Sequence, residues 1–522
     1  MTSTDMNGAR ALMETLADCG VDLCLANPGT SEMHLVEALD HVPRIRSVLG
    51  LFEGVCTGAA DGYGRMTGKP AATLLHLGAG LANGIANLHN ARKAGSPIIN
   101  LVGNHPQFHM GYDAPLTSDI DTLARNYSCW IKSCSTSDTL ARDGAEAYTA
   151  SMRATPGSQG QISTLILGAD AAWGPSPGVA RPNHVPARAK VNADAIESTA
   201  RLLASGGPSI LILEHHGVSP AALEAAGKIA AKTGCRIMTG TFPARIDTGA
   251  GRIDVERMPY FPEHILASFA GLKNMILVGA QTPASFFAYQ NTPSRLVPDG
   301  CGVHTLARVE EDAIDALEQL ADRLGATNSA AQRIEKTAYE LPSGEMKTRG
   351  MLQTIAATLP EHVIVATDSG AGNAAFPVCQ TSVPSTWLSL TGGGIGQGSP
   401  VATGAALACP DRRVLSLLGD GGAAYTIQSL WTQAREQLDV TTVIFANRRY
   451  NILNIEYGRL GIEEPGAIAE SLFDISNPDI NWATLATSFG VPSATATTLD
   501  ELGKLLTRSY QEKGPFLIEV LC

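Results

Sequence analysis

The sequence predicts an α/β protein made of three domains, each built around a doubly wound parallel sheet. Short apolar runs alternate with amphipathic segments, which indicates strands followed by helices, and Gly-rich or polar turns stand directly after several of these runs. A length of 522 residues exceeds what one core can serve and suggests about three domains. Pro-rich and non-periodic stretches separate the expected domains, which span residues 1–172, 189–324 and 348–522.

Composition and charge indicate the class of protein, the partners it does not bind and the compartment in which we expect it. Hydrophobic residues make up 44% and charged residues 17% of the chain, which is typical of a globular protein. The net charge of −12 at pH 7 argues against nucleic acid and anionic membranes as partners. No apolar stretch has the length of a membrane span or the character of a signal peptide core, and the ten cysteines form no CxxC pair. We therefore expect a cytoplasmic protein with reduced thiols.

The most informative stretch of the chain is predicted to be strand, turn, helix and strand. An apolar run, Val414–Leu418, stops at a Gly-rich turn, and one helical segment extends from there to about Arg435. A second run, Val440–Ala446, stops at Asn447. Strands joined in this way lie parallel, so their carboxyl ends meet at one edge of the sheet. Asp420 and Asn447 are therefore expected to lie close together, although 27 positions separate them.

The chemistry of this turn favours a metal ion beside a phosphate. A carboxylate and an amide oxygen belong to the hard oxygen ligands that Mg²⁺ takes, usually next to phosphate groups. The glycines at 419, 421 and 422 let the backbone approach an anion, and the start of the next helix presents free N–H groups. An ordinary Gly-rich turn of an α/β protein is the alternative. The amide in register with Asp420 favours the metal–diphosphate site.

The same segment resembles a known cofactor motif. A Gly-Asp-Gly turn centred on Asp420, followed after 25 residues by Asn447, is similar to the thiamine diphosphate motif of the decarboxylase and acetolactate synthase superfamily. Members usually have two asparagines at the end of the motif, whereas this chain has Ala446 before Asn447. The resemblance implies a Mg²⁺ ion bound by Asp420, Asn447 and the backbone carbonyl of Arg449. It also identifies the three domains, in chain order, as pyrimidine-binding, middle and diphosphate-binding.

The first domain begins with predicted elements that place two functional turns. Met6–Cys19 has the pattern of a helix and Val21–Leu25 that of a strand, which leads into a turn carrying Thr30. A second apolar run, Ile45–Phe52, is followed by Glu53 at the start of a helix. A carboxylate in that place is often no more than a favourable partner of the helix dipole. Judged alone, Glu53 is therefore more often structural than catalytic.

The helix that follows Glu53 carries a second resemblance. The run GAADGYGRMTGKP, residues 58–70, matches most of the pattern that superfamily members have after a catalytic glutamate. The resemblance implies that Glu53 shares a proton with the pyrimidine ring of the cofactor. Glu53 is therefore the predicted catalytic carboxylate.

A histidine at the end of the next predicted strand, Ala71–His76, points to the substrate. The sequence around it is most similar to benzoylformate decarboxylase, and the resemblance implies that His76 and Thr30 line the substrate pocket. A hydrogen-bonded scaffold role is the alternative for the histidine. Acetolactate synthases have a Phe-Gln-Glu run where this chain has Pro-Leu-Thr at residues 115–117. That departure favours decarboxylation over carboligation.

Two histidine pairs carry less weight. His105 and His109 have the i, i+4 spacing of a metal pair, but the proline between them breaks the helix that such a pair needs, so we expect a loop. His215 and His216 follow a predicted strand, Ile210–Leu213, and we interpret this pair as coincidental.

The middle domain gives no positive sign of a flavin. It lacks a GxGxxG fingerprint, yet acetolactate synthases hold FAD in this domain, so FAD is left open without support. Benzoylformate decarboxylase has a second catalytic histidine near the region that matches residues 285–289, where this chain has none. Either Tyr289 takes that place or the proton transfer is arranged differently.

The last domain supplies most of the cofactor's surroundings. A helix is predicted at Thr348–Thr358, a strand at Val363–Thr367 and a helix of small residues at Pro400–Ala408. Family members place one bulky aliphatic residue beneath the cofactor, and Ile395 matches it. Residues 451–478 are expected to cover the active site. The resemblance implies further cofactor contacts at Pro28, Asp368, Gly370, Gly394, Gly419, Gly421, Gly422, Ala423, Tyr450 and Asn451.

These residues together predict a thiamine diphosphate- and Mg²⁺-dependent enzyme that cleaves or forms a C–C bond of a 2-oxo acid. The first-domain residues favour a benzoylformate decarboxylase-like 2-oxo acid decarboxylase. An acetolactate synthase-like carboligase is the alternative within the enzymes. A catalytically silent, cofactor-binding regulatory paralogue is the alternative of another class, against which Glu53 argues. The resemblance implies a homodimer or homotetramer whose active sites lie between subunits.

Overall fold

Three sheets organise the protein, as the sequence predicted. The computed structural model describes residues 6–154, 160–462 and 464–522. Two of the sheets are wholly parallel, and the third is parallel except for one edge strand. The α/β fold class is therefore confirmed.

The first sheet has the strand order β2-β1-β3-β4-β6-β5. Apolar side chains of α3 and α4 cover one face, and those of α1, α2, α7 and α8 cover the other, so the sheet is buried between two helical layers. A 3-10 helix, Thr30–Glu32, follows the first strand. The elements are α1 (Gly8–Cys19), β1 (Leu23–Asn27), α2 (Met33–Asp40), β2 (Arg46–Leu49), α3 (Glu53–Thr67), β3 (Ala71–Leu75), α4 (Leu77–Ala94), β4 (Pro97–Asn104), α5 (Gln107–Met110), α6 (Ile120–Arg125), β5 (Trp130–Cys134), α7 (Ser137–Ser151), β6 (Gln161–Gly168) and α8 (Ala169–Trp173).

The second sheet has the strand order β10-β8-β7-β11-β12. A 3-10 helix, His215–Val218, follows its central strand. The elements of this part are α9 (Ala193–Ala204), β7 (Ser209–Leu213), α10 (Pro220–Thr233), β8 (Arg236–Thr239), β9 (Ile246–Thr248), β10 (Glu256–Arg257), α11 (Pro262–Ser268), β11 (Asn274–Val278), β12 (Gly302–Ala307) and α12 (Ala313–Arg323).

The third sheet has the strand order β17-β18-β16-β15-β13-β14-β9. Its elements are α13 (Thr348–Thr358), β13 (Ile364–Asp368), α14 (Gly370–Cys379), β14 (Ser385–Leu388), α15 (Gly398–Ala408), β15 (Val414–Gly419), α16 (Asp420–Thr426), α17 (Ser429–Arg435), β16 (Val440–Ala446), α18 (Asn451–Arg459), α19 (Ala467–Phe473), α20 (Trp482–Ser488), β17 (Ser493–Ala496), α21 (Leu499–Gln511) and β18 (Phe516–Leu521).

Two features of the third sheet differ from the sequence prediction. The single helical segment expected up to Arg435 is two helices, α16 and α17, with a turn at residues 427 and 428 between them. The hydroxyl of Thr426, at the end of α16, donates to the carbonyl of Gly396. The edge strand β9 comes from the middle of the chain and pairs antiparallel with β14. Three residues are too short a run for periodicity to reveal. Among the described residues, no helix combines the length and hydropathy needed to cross a lipid bilayer.

A buried ion pair joins the three parts of the chain. Arg65 and Asp61, one turn apart on α3, have side chains that are 1% and 0% exposed and are joined by two hydrogen bonds of 2.6 and 2.8 Å. The guanidinium also donates to the carbonyl oxygens of Ala244 and Ser389 and to the hydroxyl of Thr391. Arg65 thus fixes the first residues of the loop that leads to Ile395.

Replacing Arg65 by Met is expected to destabilise the protein by about 3–5 kcal/mol, because it leaves the Asp61 carboxylate buried without its partner. Urea unfolding monitored by circular dichroism measures the effect, with the exposed Arg44 replaced by Met as the control. An unchanged unfolding midpoint in the Arg65 variant would show that the ion pair does not hold the parts together.

Candidate active site

The carboxyl ends of neighbouring strands meet on one edge of the third sheet. β15 pairs in parallel with β13 on one side and with β16 on the other, so Asp368 and Gly419 end adjacent strands. Asp420 directly follows β15, and Asn447 directly follows β16. The structure therefore brings Asp420 and Asn447 to the same edge, as their spacing predicted. Their role as metal ligands stays a prediction.

Asp420 is a buried carboxylate that the backbone holds through both oxygens. The residue is 3% exposed, Oδ1 accepts a hydrogen bond from the N–H of Gly421 at 2.8 Å, and Oδ2 accepts one from the N–H of Arg448 at 2.6 Å. Burial raises the pKa of Asp420, and these N–H donors oppose that rise. A cation in contact would favour the charged carboxylate further, so Asp420 has the properties of a metal ligand.

The turn after β16 folds back over the Gly-rich turn. Asn447 is exposed, and its Oδ1 accepts a hydrogen bond from the N–H of Arg449 at 3.2 Å. The ring of Tyr450 lies against Gly421, where any side chain would overlap it. The guanidinium of Arg449 pairs with Glu470 on α19. Its side chain is thus used elsewhere, which suits a predicted role that needs only the backbone carbonyl.

Asp368 positions the loop that carries Ile395. Its Oδ2 accepts hydrogen bonds from the N–H of Gly396 at 2.7 Å and of Gly398 at 3.1 Å. Its Oδ1 is buried, has no hydrogen-bond partner among the described residues, and lies 3.4 Å from where a Cβ on Gly422 would stand. Burial raises the pKa of this carboxyl. The carboxylate therefore offers one unpaired buried oxygen beside the Gly-rich turn.

The other predicted cofactor contacts differ in exposure, and their roles stay predictions. Buried positions are Gly421, Gly422 and Ala423; partly buried positions are Pro28, Gly394, Ile395, Gly419, Arg449 and Tyr450; exposed positions are Gly370 and Asn451.

Glu53 is the first residue of α3, as predicted, and is 7% exposed. Its Oε2 accepts a hydrogen bond from the side-chain amide of Asn83 at 3.0 Å. Its Oε1 lies beside Gly80, 2.9 Å from where a Cβ on that glycine would stand. One oxygen is therefore held by α4, whereas the other makes no hydrogen bond among the described residues and is left for a partner.

Three asparagines on one face of α4 connect Glu53 to the Ile395 loop, and the sequence analysis missed them. Asn83 binds Glu53, and Asn87 donates to the carbonyl of Gly54 at 2.8 Å and to that of Gly396 at 3.4 Å. Asn90 donates to the carbonyl of Gly394 at 2.8 Å. The spacing of 83, 87 and 90 is that of one helix face and was the available signal. These hydrogen bonds hold the Glu53 carboxylate and the loop that carries Ile395 in fixed positions relative to each other.

His76 and Thr30 leave the ends of adjacent strands of the first sheet. Thr30 is exposed, and His76 has a side chain 23% exposed whose Nδ1 lies 2.8 Å from Oε2 of Glu32. Neither residue is packed into the apolar core, so both are available to a small molecule at this edge. Glu32 is a second residue that the sequence analysis did not identify.

Tyr289, in the part of the chain that forms the second sheet, contacts residues 451–478, which are predicted to cover the active site. Its hydroxyl donates to Oε1 of Glu456 on α18 at 3.1 Å, and the guanidinium of Arg459 lies 4.1 Å from the centre of its ring. Arg459 also pairs with Glu263 at 2.6 Å. Burial and the neighbouring Glu456 raise the pKa of Tyr289. A proton-transfer role for Tyr289 stays a prediction.

His105 and His109 do not share a helix, as predicted. His105 follows β4, Pro106 precedes the short helix α5, and the two rings are 5.1 Å apart. Within the described ranges no group of three or more His, Cys, Asp or Glu side chains could hold a metal ion.

A cleft of about 1530 Å³ lies between the first and second parts of the chain, and His215 and His216 line it together with Glu214 and Phe286. Burial raises the pKa of Glu214 to about 7 and lowers the pKa of both histidines. No observation identifies a ligand for this cleft, and FAD stays an unsupported expectation.

The edge of the third sheet fits a Mg²⁺–diphosphate group on its own chemistry. The available donors are oxygens, which Mg²⁺ prefers. Asp420 is a buried carboxylate that gains from a cation, and Asp368 presents an unpaired buried oxygen. Gly421 and Gly422 carry no side chain that could stand between the turn and an anion, and their Cβ positions face Tyr450 and Asp368. The residues therefore match the group that the sequence predicted.

Comparisons with known proteins show what the chain is similar to. Residues 6–124 match the family described as thiamine pyrophosphate enzyme, N-terminal TPP binding domain, and residues 370–520 match the corresponding C-terminal TPP binding domain. The chain is 47% identical over 518 residues to the "Putative acetolactate synthase large subunit IlvX" of Mycobacterium tuberculosis, with 99% of each chain covered.

More distant relatives carry decarboxylase names. The chain is 26% identical to "Benzoylformate decarboxylase" of Pseudomonas aeruginosa, with 98% of each chain covered. The solved structure of the thiamine diphosphate-dependent 4-hydroxybenzoylformate decarboxylase of Rhodococcus jostii RHA1 superposes with a TM-score of 0.85 at 22% identity, with 99% of each chain covered. At that identity the superposition speaks for the fold alone.

Proposed function

The chain belongs to the thiamine pyrophosphate enzyme family, and from that premise we propose that it is an acetolactate synthase-like carboligase. Such an enzyme joins the acyl part of one 2-oxo acid to a second carbonyl compound. The observation that carries the proposal is the 47% identity, over 99% of both chains, to the relative named as a putative acetolactate synthase large subunit. The comparisons thus support the carboligase alternative better than the decarboxylase that the sequence analysis favoured.

A decarboxylase similar to benzoylformate decarboxylase is the second candidate. The specific observation in its favour is His76, which stands partly exposed at a strand end with its Nδ1 held by Glu32. An imidazole so placed can donate a proton to, or accept one from, a small substrate at that edge. The regulatory alternative has less support, because Glu53 is buried and held in place by Asn83.

Thiamine diphosphate, when bound, supplies an electron sink for the acyl carbon that loses CO₂. Asp420, the amide oxygen of Asn447 and the backbone carbonyl of Arg449 would hold the Mg²⁺ ion, and the Gly-rich turn would hold the diphosphate. Ile395 would support the cofactor from its loop, which Asp368 and the asparagines of α4 hold in place.

The proposed proton chemistry follows from which oxygens and nitrogens are free. Glu53 holds or releases a proton at Oε1, because Oε2 is occupied by Asn83. His76 moves a proton at Nε2, because Nδ1 faces Glu32. Thr30 presents an exposed hydroxyl that can bind the substrate carboxylate. Glu53 therefore acts toward the cofactor and His76 toward the substrate.

The proposal extends to location and assembly. All ten cysteines are free thiols, which supports a reducing, cytoplasmic compartment. We also propose a homo-oligomer, a dimer or a tetramer, in which one subunit's Glu53 works with the partner subunit's diphosphate edge.

Product stoichiometry distinguishes the two chemistries. With Mg²⁺, thiamine diphosphate and pyruvate, a carboligase consumes two molecules of pyruvate for each CO₂ and releases acetolactate, whereas a decarboxylase consumes one and releases acetaldehyde. We expect the former ratio, measured by NMR of the products together with trapped CO₂. A ratio of one, with an aldehyde from pyruvate or an aromatic 2-oxo acid, would replace the carboligase proposal by the decarboxylase.

A further inference from the structure

We infer that Glu32 is the positioning residue of His76, holding the imidazole so that Nε2 faces the substrate. The inference rests on the proposed substrate-facing role of His76 and goes beyond it by assigning a residue that has no place in the cofactor motifs. It is carried by a buried carboxylate, its distances and the two glycines that enclose the pair.

Glu32 is a fully buried carboxylate with an incomplete set of partners. It is 0% exposed, and its Oε2 accepts a hydrogen bond from the N–H of Gly29 at 2.7 Å and lies 2.8 Å from Nδ1 of His76. Its Oε1 has no hydrogen-bond partner among the described residues. Removing a carboxylate from water costs free energy unless the buried charge is paired or hydrogen-bonded. Within the described ranges, the imidazole of His76 is the only charged or titratable side chain that bonds to Glu32.

The fold brings the pair together at one edge of the first sheet. β3 pairs in parallel with β1 on one side and with β4 on the other. Glu32 follows β1, His76 follows β3 and Gly103 lies near the end of β4, so three adjacent strands deliver them to the carboxyl edge. This is the edge where open α/β sheets place their ligands.

Two glycines leave the space that the pair occupies. A Cβ on Gly29 would overlap the imidazole of His76, and a Cβ on Gly103 would overlap Oε1 of Glu32. Gly29 has φ −120°, a conformation that any residue can adopt. Glycine is therefore needed at this position because a side chain has no room, and not because of the backbone conformation. The ring is therefore enclosed between Gly29 and Glu32 and cannot turn without breaking its contact.

The contact also determines which ring nitrogen remains available. An ionised carboxylate only accepts hydrogen bonds, so with Glu32 ionised it is Nδ1 that carries the proton in this pair. Nε2 is then the acceptor of the neutral ring and a donor when the ring is protonated. His76 makes no other hydrogen bond among the described residues, so Nε2 is left for the substrate.

A purely structural role for Glu32 is the competing explanation. Its bond to the N–H of Gly29 closes the turn that begins the 3-10 helix, and such a cap stabilises the fold whether or not His76 works. Glu37 and His41, on the neighbouring helix α2, form an exposed Glu–His pair at 2.9 Å and supply a matched control.

The test is a double-mutant cycle with Glu32→Gln, His76→Ala, the double variant and Glu37→Gln. Gln can still accept from Gly29 but loses the charge that fixes Nδ1 as the donor. We expect Glu32→Gln to lower kcat by about 10-fold to 100-fold, by analogy with the loss seen when a metal-bound histidine is deprived of its carboxylate partner. Thiamine diphosphate affinity should stay unchanged, the double variant should be no slower than His76→Ala, and Glu37→Gln should behave as wild type.

Two results would overturn the inference while the role of His76 stands: a wild-type kcat in Glu32→Gln, or losses that multiply in the double variant. Full turnover in His76→Ala would instead refute the proposed role of His76 itself, and the inference with it. If Glu32→Gln fails to fold, Gly29→Ala displaces the same ring with Glu32 unchanged and should lower kcat comparably. Wild-type kcat in a folded Gly29→Ala protein would then overturn the inference.

Discussion

Replacing Glu53 by Gln is expected to lower turnover of the preferred 2-oxo acid by about 10²–10⁴-fold, while the cofactor still binds. Gln retains the shape and can keep its hydrogen bond with Asn83, but it cannot take up and release a proton. Because Glu53 is 7% exposed, water is poorly placed to act in its stead. Steady-state kcat at saturating thiamine diphosphate measures the loss, and calorimetric titration measures cofactor affinity.

The control for this variant is Asn83→Ala, which removes the partner of Oε2 but leaves the carboxylate able to exchange a proton. We expect it to be impaired less than Glu53→Gln. Wild-type turnover in Glu53→Gln would refute the proton role. Loss of the cofactor in that variant would make Glu53 a binding residue instead.

Replacing Asp420 by Ala is expected to abolish Mg²⁺-dependent retention of thiamine diphosphate, with a loss of affinity of at least about 100-fold. The change removes a buried carboxylate whose charge would balance both the metal ion and the nearby N–H donors. Asn447→Ala should also weaken Mg²⁺-dependent binding of thiamine diphosphate, because it removes the neutral amide oxygen of Asn447 from the proposed metal ligands. Calorimetry with and without Mg²⁺ is the measurement, and the exposed Asp411 replaced by Ala is the control.

Mixing the two inactive variants tests the proposed assembly. If one subunit's Glu53 works with its partner's Asp420, dissociating and reassembling Glu53→Gln with Asp420→Ala creates sites with both residues intact. Activity should then return in the mixture although neither variant has it alone. A mixture as inactive as its components would place both residues of a site in the same chain. Unchanged Mg²⁺-dependent affinity in Asp420→Ala would remove that residue from the site altogether.

Strand ends were predictable from the sequence because they depend on short-range patterns. Apolar runs that stop at glycine or asparagine placed Asp420 and Asn447 at one edge of the sheet, and the structure brings them there. The start of α3 at Glu53 was predicted for the same reason. In each case the β-strand period and the parallel connection decide where the side chain goes.

Contacts between distant segments were not predictable in this way. Asn87 meets the loop at Gly396 and Asn90 meets it at Gly394, each more than 300 positions away, in a region where α3 packs against α15. Glu32 was not identified from the sequence, because its contact with His76 depends on the order of strands in the sheet. The short strand β9 likewise depends on a partner far along the chain.

The most direct test of a working site is hydrogen–deuterium exchange at C2 of thiamine diphosphate bound to the wild-type protein with Mg²⁺. We expect exchange faster than in free cofactor by orders of magnitude, because Glu53 and the Asp420 edge act together on one bound molecule. Exchange no faster than in free cofactor, with binding intact, would refute the proposed activity and leave a protein that holds the cofactor without activating it.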